Sequence, residues 1–287
     1  MKNFRAYFLL FIAVVALCSC DLAKNNKALI SEAGKALVEE LDQKDGEAGA
    51  CDASAGAAEA DDKLVMQTSP KGTPEQILKR TGYVASYNKT TLLPNWVAWH
   101  LTAERTEGSA KRSGVDFAED TEVPSPRATD WDYYNSGYDR GHMCPAADNK
   151  WSKKAMEESF LFTNMCPQNG NLNRGDWNEM EMACRKWAKK YGDLYIVCGP
   201  ILYKGKHKTI GKNKVVVPEA FFKVVLRTGD DPQAIGFIYK NTSGNRPKDS
   251  YVNTVDEVER ITGIDFFPSL PADVEKNVEA TADIANW

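Results

Sequence analysis

The sequence predicts a fold of the α+β class, because its strand and helix patterns are grouped rather than strictly alternating. Short apolar runs bounded by turn residues predict strands at residues 96–101, 194–198, 215–217, 221–226 and 234–239. Gly199-Pro200 is expected to end the second of these strands. Helical patterns lie at residues 152–158, 175–190 and 254–262. The apolar and charged fractions, 43% and 26%, are those of an ordinary globular protein.

Residues 1–20 have the pattern of a lipoprotein-type signal peptide. Lys2 and Arg5 supply positive charge, and the apolar run at residues 8–17 is shorter than the about 20 residues that a membrane-spanning helix needs. Leu17-Cys18-Ser19-Cys20 is similar to a bacterial lipobox. We therefore expect export and a lipid anchor on Cys20, at the periplasmic or cell-surface side of a bacterial membrane. Plain secretion is the alternative.

Residues 21–62 are rich in Ala, Gly, Asp and Glu and predict an acidic, flexible tether. They contain four lysines and eleven acidic residues, and the signal peptide contains two basic residues. Removing both segments from the totals of 36 basic and 40 acidic residues leaves 30 and 29 in the predicted domain, residues 63–287. The domain is therefore close to neutral, and long-range repulsion does not argue against a polyanionic ligand.

Residues 139–142, Asp-Arg-Gly-His, carry the first chemical signal. The neutral imidazole of His142 is suited to take a proton from water near neutral pH. Arg140 offers a fixed positive charge for phosphate oxygens, and Gly141 allows the backbone to approach a ligand closely. This stretch indicates acid–base chemistry at a phosphate group.

The other two histidines are expected to be outside that chemistry. His100 lies within a predicted strand and is interpreted as structural or exposed. His207 lies in a lysine-rich segment that is either a solvated turn or an extension of a phosphate-binding surface. The lysines of this segment are Lys204, Lys206, Lys208, Lys212 and Lys214.

The helix predicted at residues 175–190 carries a second signal. Its apolar residues recur at steps of three and four and predict a core-facing stripe, made of Trp177, Met180, Cys184, Trp187 and Tyr191. Glu181 and Arg185 lie four residues apart at one edge of this stripe. Edge positions can be half-buried and face a cleft, although a Glu–Arg pair at this spacing is more often only a stabilising surface pair.

The combined pattern resembles the DNA/RNA non-specific endonuclease family of ββα-metal nucleases, over about residues 75–270. The matching residues are 139–142 together with Asn164, Pro167, Gln168, Asn173, Trp177, Glu181 and Arg185. The resemblance implies a central, mostly antiparallel sheet with flanking helices.

The resemblance also implies roles for individual residues. His142 would be the general base, and Asn173 would be the protein ligand of a Mg²⁺ ion, for which Mn²⁺ could substitute. Arg140 and Arg185 would hold the phosphate, Glu181 would order water around the metal, and Asn164 would support the site. The family has one further arginine upstream of the histidine motif. Its match is left open here between Arg112 and Arg127.

Together these patterns predict a Mg²⁺-dependent endonuclease that hydrolyses DNA and RNA with little sequence specificity. A hydrated magnesium ion takes few protein ligands, which explains how one carboxamide could suffice. Two alternatives remain: a phosphodiesterase for small nucleotides, and a non-catalytic surface lipoprotein that binds nucleic acid.

The cysteines predict disulfides rather than a zinc site. Export makes disulfides possible, and no Cys or His spacing of the zinc-binding kind is present in the sequence. Cys144 and Cys166 each follow a candidate site residue by two positions, and Cys184 lies on a helix shortly before the strand of Cys198. The predicted pairs are Cys144–Cys166 and Cys184–Cys198.

Overall fold

A computed structural model describes residues 63–287, so the predicted signal peptide and tether lie outside the described residues. Eleven strands are present in this part of the chain. They are β1 (Gln76–Lys79), β2 (Val84–Asn88), β3 (Leu93–Leu101), β4 (Asp139–His142), β5 (Met165–Gln168), β6 (Leu194–Ile201), β7 (Thr209–Ile210), β8 (Val215–Val216), β9 (Ala220–Arg227), β10 (Gln233–Lys240) and β11 (Val252–Asn253). Seven of them form one sheet, in the order β1-β2-β3-β6-β9-β10-β11, and every neighbouring pair is antiparallel. The predicted α+β class with a central antiparallel sheet is confirmed.

Helices cover both faces of this sheet. They are α1 (Asp130–Tyr133), α2 (Lys153–Glu158), α3 (Gly170–Arg174), α4 (Asp176–Tyr191), α5 (Val255–Thr262) and α6 (Ala272–Glu279). The long helix α4 and the β4–β5 pair pack into one hydrophobic core, and α5 and α6 pack into a second core on the opposite face. No helix within residues 63–287 is long and apolar enough to cross a membrane.

Strand β9 shows how the sheet separates the two cores. Its side chains alternate, as a strand in the middle of a sheet requires: Phe221 and Val225 enter the core beneath α4, and Phe222 and Val224 enter the core beneath α5 and α6. Lys223 follows the same alternation, because its ammonium group lies over the ring of Trp177 on α4. The sheet therefore directs one lysine into the core on the α4 side.

The histidine motif forms strand β4, which pairs with β5 apart from the main sheet. Gly141 lies opposite Cys166 in this ladder, and His142 lies opposite Met165. A Cβ atom at position 141 would come within 2.4 Å of the Gln168 side chain, far inside van der Waals contact. Glycine is therefore required here for packing against β5, a reason that the sequence did not suggest.

The predicted core stripe of α4 is confirmed for Trp177, Met180, Cys184 and Trp187, which are buried, whereas Tyr191 is half-buried and packs against the same core. The predicted strands and long helices are present, with ends displaced by a few residues. Gly199-Pro200 does not end its strand, because β6 continues to Ile201 and pairs along its whole length with β9. Strands β1 and β2, which begin the sheet, were not predicted from the sequence. The side chains of Ser86 and Tyr87 on β2 are buried.

The structure contains neither predicted disulfide, because all four cysteines concerned are free thiols and buried. Cys144 lies beyond the end of β4, and its thiol accepts a hydrogen bond from Asn149 Nδ2 at 3.4 Å, whereas Cys166 lies on β5 opposite Gly141. The Cys198 thiol donates to the Met143 carbonyl at 3.3 Å.

Candidate active site

A cleft of about 1010 Å³ opens at the edge of the β4–β5 ladder, against α3, α4 and the segment around residues 108–117. Its lining is strongly basic, with two acidic side chains, Asp139 and Glu181, and six basic ones. The basic side chains are Lys111, Arg112, Arg140, Lys150, Arg174 and Arg185. Such a concentration of positive charge in a concave surface attracts phosphate groups, although the domain as a whole is close to neutral.

Asn173 lies in this cleft because a short helix and a carboxylate place it there. The side chain of Asn169 caps α3 by accepting hydrogen bonds from the backbone N–H groups of residues 171 and 172. On that helix, the Asn173 Nδ2 donates to Asp139 Oδ2 at 3.0 Å. Arg174 donates to the same oxygen, so Asp139 joins β4 to α3 through both residues.

This arrangement fits a divalent cation. Because Nδ2 of Asn173 is held by Asp139, the carbonyl oxygen is the atom of that carboxamide left to act as a ligand. A hard cation such as Mg²⁺ takes oxygen ligands, keeps several waters and often uses only one or two protein side chains. Glu181, which also lines the cleft, is the carboxylate available to bind those waters.

His142 is held in an aromatic cage at the cleft wall. Its ring lies 4.9 Å from the ring of Phe160 and 5.6 Å from that of Phe117, measured between centroids. Nε2 is buried and has no hydrogen-bond partner, which leaves Nδ1 as the nitrogen that can reach water in the cleft. Burial, followed by the charge of Arg112, lowers the pKa of His142 to about 3. The imidazole is therefore neutral at pH 7 and able to accept a proton.

Two arginines of the cleft flank this histidine. Arg140 donates through Nε to Asp130 at 2.6 Å and lies over the rings of Phe117 and Tyr133. Arg112, on the other side, lies 5.5 Å from the centre of the Phe160 ring. Both guanidinium groups are placed by aromatic contacts at the cleft, where phosphate oxygens can be bound.

The two candidates for the upstream arginine are separated by their positions. Arg127 is held away from the cleft by Glu119 and by the carbonyl of Val123, at 3.0 and 2.9 Å. Arg112 lines the cleft and affects the pKa of His142 directly. The structure therefore favours Arg112 for this position.

Arg185 is paired with Asp148 and not with Glu181. Its Nη1 donates to Asp148 Oδ1 at 2.9 Å, and the other oxygen of this buried carboxylate accepts from Trp99 Nε1 at 3.1 Å. A buried carboxylate that holds both partners fixes the direction of the guanidinium group. Asp148 thus fixes the position of Arg185, which lines the cleft.

Glu181 lies beside a buried cation. Desolvation raises the pKa of Glu181 to about 7, with Lys223 and Arg185 acting against this rise and Asp148 adding to it. The Lys223 ammonium group is fully buried, 4.3 Å from the ring centre of Trp177 and 5.1 Å from that of Trp99. Lys223 therefore favours the ionised form of Glu181, the form that can bind the water around a cation.

Asn164 supports the site from outside the cleft. The residue is fully buried, and its side chain accepts from the backbone N–H of Cys144 at 2.9 Å. It also donates to the carbonyls of Cys144 and Ser159, both at 2.8 Å. These three bonds fix the chain just after His142, which makes Asn164 a positioning residue.

The remaining histidines do not face the cleft. His100 bonds to Asp193 at 2.7 Å and stacks on the ring of Tyr195. His207 bonds to Glu219 at 3.1 Å. None of the five lysines in the segment of His207 lines the cleft, although Lys208 reaches its rim by lying over the ring of Tyr138, 4.7 Å from its centre.

Sequence reasoning gave no role to Asp148, Lys223, Arg174 or Lys150. Asp148 stands six residues after His142, but nothing in that spacing indicates Arg185 as its partner. Lys223 had a detectable signal, since it is a single charge inside an otherwise apolar strand. A charge buried at such a position needs compensation by other polar groups of the core.

Strands β4 and β5 followed by the helix α4, with a histidine on the first strand and an asparagine of the cleft just before the helix, define the class of ββα-metal nucleases. Residues 61–273 match the family described as DNA/RNA non-specific endonuclease. The chain belongs to this family.

Relatives and a solved structure agree with this assignment. The mitochondrial nuclease EXOG of Danio rerio is 39% identical over 206 residues, which cover 66% of this chain and 60% of that protein. Human mitochondrial endonuclease G is 34% identical over 211 residues, which cover 69% of this chain and 71% of that protein. The chain thus spans less than two thirds of the zebrafish relative. A crystal structure of an EndoG/EndoGI complex matches with a TM-score of 0.65 and 32% identity, over 69% of this chain and 87% of that one.

The protonation of His142 provides a direct test of this geometry. In the metal-free protein, its ring NMR resonances should stay constant from pH 8 to about pH 4 and change only below that, because the folded-state pKa is about 3. Arg112→Gln should raise this pKa, since it removes a neighbouring positive charge. Arg127→Gln, the matched control, should not. A midpoint above pH 6 in the wild type would show that the imidazole is not desolvated as described.

Proposed function

We propose that the protein is a Mg²⁺-dependent endonuclease that hydrolyses the phosphodiester bonds of DNA and RNA. One observation carries this proposal: His142, whose pKa is lowered by burial, and Asn173 line the same basic cleft. A general base, a place for a cation and several fixed positive charges are the three requirements of phosphodiester hydrolysis by water.

The chain's own residues divide this work. Nδ1 of His142 accepts a proton from the attacking water, and Arg140 and Arg112 hold the phosphate oxygens in front of it. Arg185, held by Asp148, places a third positive charge in the same cleft. A Mg²⁺ ion held by Asn173, with Glu181 bound to its waters, would neutralise charge on the phosphate and the leaving oxygen.

Little sequence specificity follows from the same lining. Its charged groups are suited to phosphate and sugar, which are alike at every nucleotide, so binding positions the strand without selecting a sequence. Activity should fall steeply with salt, because cation release accompanies each phosphate contact. Both DNA and RNA are therefore expected as substrates, with Mn²⁺ as a substitute for Mg²⁺.

The proposal is tested by nicking of supercoiled plasmid with Mg²⁺ and with EDTA. Cleavage should require the metal, and His142→Ala should slow it by roughly 10²–10⁴-fold, the usual contribution of a general base. His207→Ala is the matched control, since this residue bonds to Glu219 outside the cleft, and should cleave at the wild-type rate. Unchanged cleavage by His142→Ala would refute the assigned base.

The same assay separates the alternative functions. Activity on a dinucleotide ester without plasmid cleavage would indicate a phosphodiesterase for small nucleotides. Plasmid binding without cleavage of any ester would indicate a non-catalytic nucleic-acid-binding lipoprotein. The complete site, with His142, Asn173 and Glu181 all present, argues against the second outcome.

We also propose that the protein is exported and held at a bacterial membrane by a lipid on Cys20. The support is the positive charge and the apolar run within residues 1–17, the lipobox-like residues 17–20 and the acidic residues that follow them.

In detergent phase separation, the wild-type protein should enter the detergent phase and Cys20→Ser should stay in the aqueous phase. Equal partitioning of the two proteins would exclude the anchor.

A further inference from the structure

A group of carboxylates lies between α5 and α6, on the face of the sheet opposite the cleft. Asp256 and Glu259 are on α5, and Glu279 is on α6. One carboxylate oxygen from each residue lies within 4.8 Å of one from each of the others. The two helices are packed on the sheet by apolar residues, among them Val258 and Val278, so the carboxylates are brought together by the fold and cannot easily separate.

Glu279 is the member that requires an explanation. Its residue is only 5% exposed, and its Oε1 is buried with no hydrogen-bond partner. It is also the last residue of α6, where the helix dipole places partial negative charge. A carboxylate in such a place is destabilised both by desolvation and by the helix end, unless a proton or a cation neutralises it.

No ion pair within residues 63–287 supplies that cation from the protein. The charged groups that act on Glu279 are further carboxylates, namely Glu259, Glu275, Asp256 and Asp265. Together with burial, which has the larger effect, they raise the pKa of Glu279 to about 8. Glu259 is partly engaged, because its Oε1 accepts from the backbone N–H of Phe266 at 2.8 Å, and its second oxygen is left for a ligand.

We propose that Asp256, Glu259 and Glu279 form a binding site for a divalent cation of the calcium type. The ligands are all carboxylate oxygens, which hard cations prefer to other donors. Two oxygens bound to one Ca²⁺ at 2.3–2.6 Å can be at most about 5 Å apart, so separations within 4.8 Å are compatible with a shared ion. Calcium also accepts the irregular geometry of ligands from two helices, whereas Mg²⁺ demands a near-ideal octahedron.

This site would act on stability rather than on hydrolysis. An ion between α5 and α6 would hold the last helix against the sheet. The segment that follows α6 returns to the other face, where Trp287 packs on Trp187 of α4, with ring centroids 5.0 Å apart. Cation binding would therefore stabilise the packing of both faces, while the residues of the cleft remain unaffected.

Thermal unfolding of the full chain with and without 10 mM CaCl₂ (about 10–100 times the expected Kd) tests the proposal. Calcium should raise the wild-type Tm by about 3 °C or more, as expected for a site with a submillimolar to millimolar Kd. In Asn173→Ala, where the cleft lacks its proposed ligand, Mg²⁺ at the same concentration should have a smaller effect than calcium. Asn173→Ala, which removes the cation ligand of the cleft, should keep the full calcium shift. The result is thus independent of whether the protein is a nuclease.

Glu279→Gln decides between a cation and a proton. The variant is almost the same shape, should fold with an unchanged or higher Tm without calcium, and should lose the calcium shift. Asp273→Asn, an exposed acidic residue on the same helix, is the matched control and should keep it. The absence of a wild-type shift would show that a proton neutralises Glu279, and an equal shift in Glu279→Gln would show that calcium binds elsewhere. Either result overturns the proposal.

Discussion

The candidate site depends on one carboxylate, that of Asp139. It accepts hydrogen bonds from Asn173 and Arg174 and so joins the strand that carries His142 to the helix that carries Asn173. Neither element is large: β4 has four residues and α3 has five. Such short elements have little stability of their own. This contact therefore links the relative positions of His142 and Asn173.

A buried layer of charge supports the site from the core. Asp148 holds Arg185 and Trp99, while Lys223 lies between the rings of Trp99 and Trp177 beside Glu181. Removing one member of such a group typically costs about 3–5 kcal/mol, because a buried charge is left uncompensated. That cost reflects the uncompensated charge, and the intact group adds little net stability. The layer is therefore more important for fixing the ionisation of Glu181 and the direction of Arg185. Glu181 and Arg185 of α4 belong to this layer and also line the cleft.

Local patterns allowed much of this to be predicted from the sequence. The stripe of α4 follows from helical periodicity, whereas the position of Glu181 at a cleft was implied only by the family resemblance, since its place at the stripe's edge alone favoured a surface pair. The pairing of Arg185 with Asp148 could not be predicted, because the two residues are 37 positions apart and meet only through the folded sheet. The disulfide prediction failed because spacing along the sequence does not give the distance or direction between two thiols in the fold.

The most direct measurement of the central claim is the Mg²⁺ dependence of plasmid cleavage by Asp139→Ala. If Asp139 orients the Asn173 amide, half-maximal cleavage should need about tenfold more Mg²⁺ or beyond, as is typical when a partner of a metal ligand is removed. Asp130→Asn, which loosens Arg140 but not Asn173, should leave the Mg²⁺ requirement unchanged. A wild-type Mg²⁺ requirement in Asp139→Ala would contradict the account.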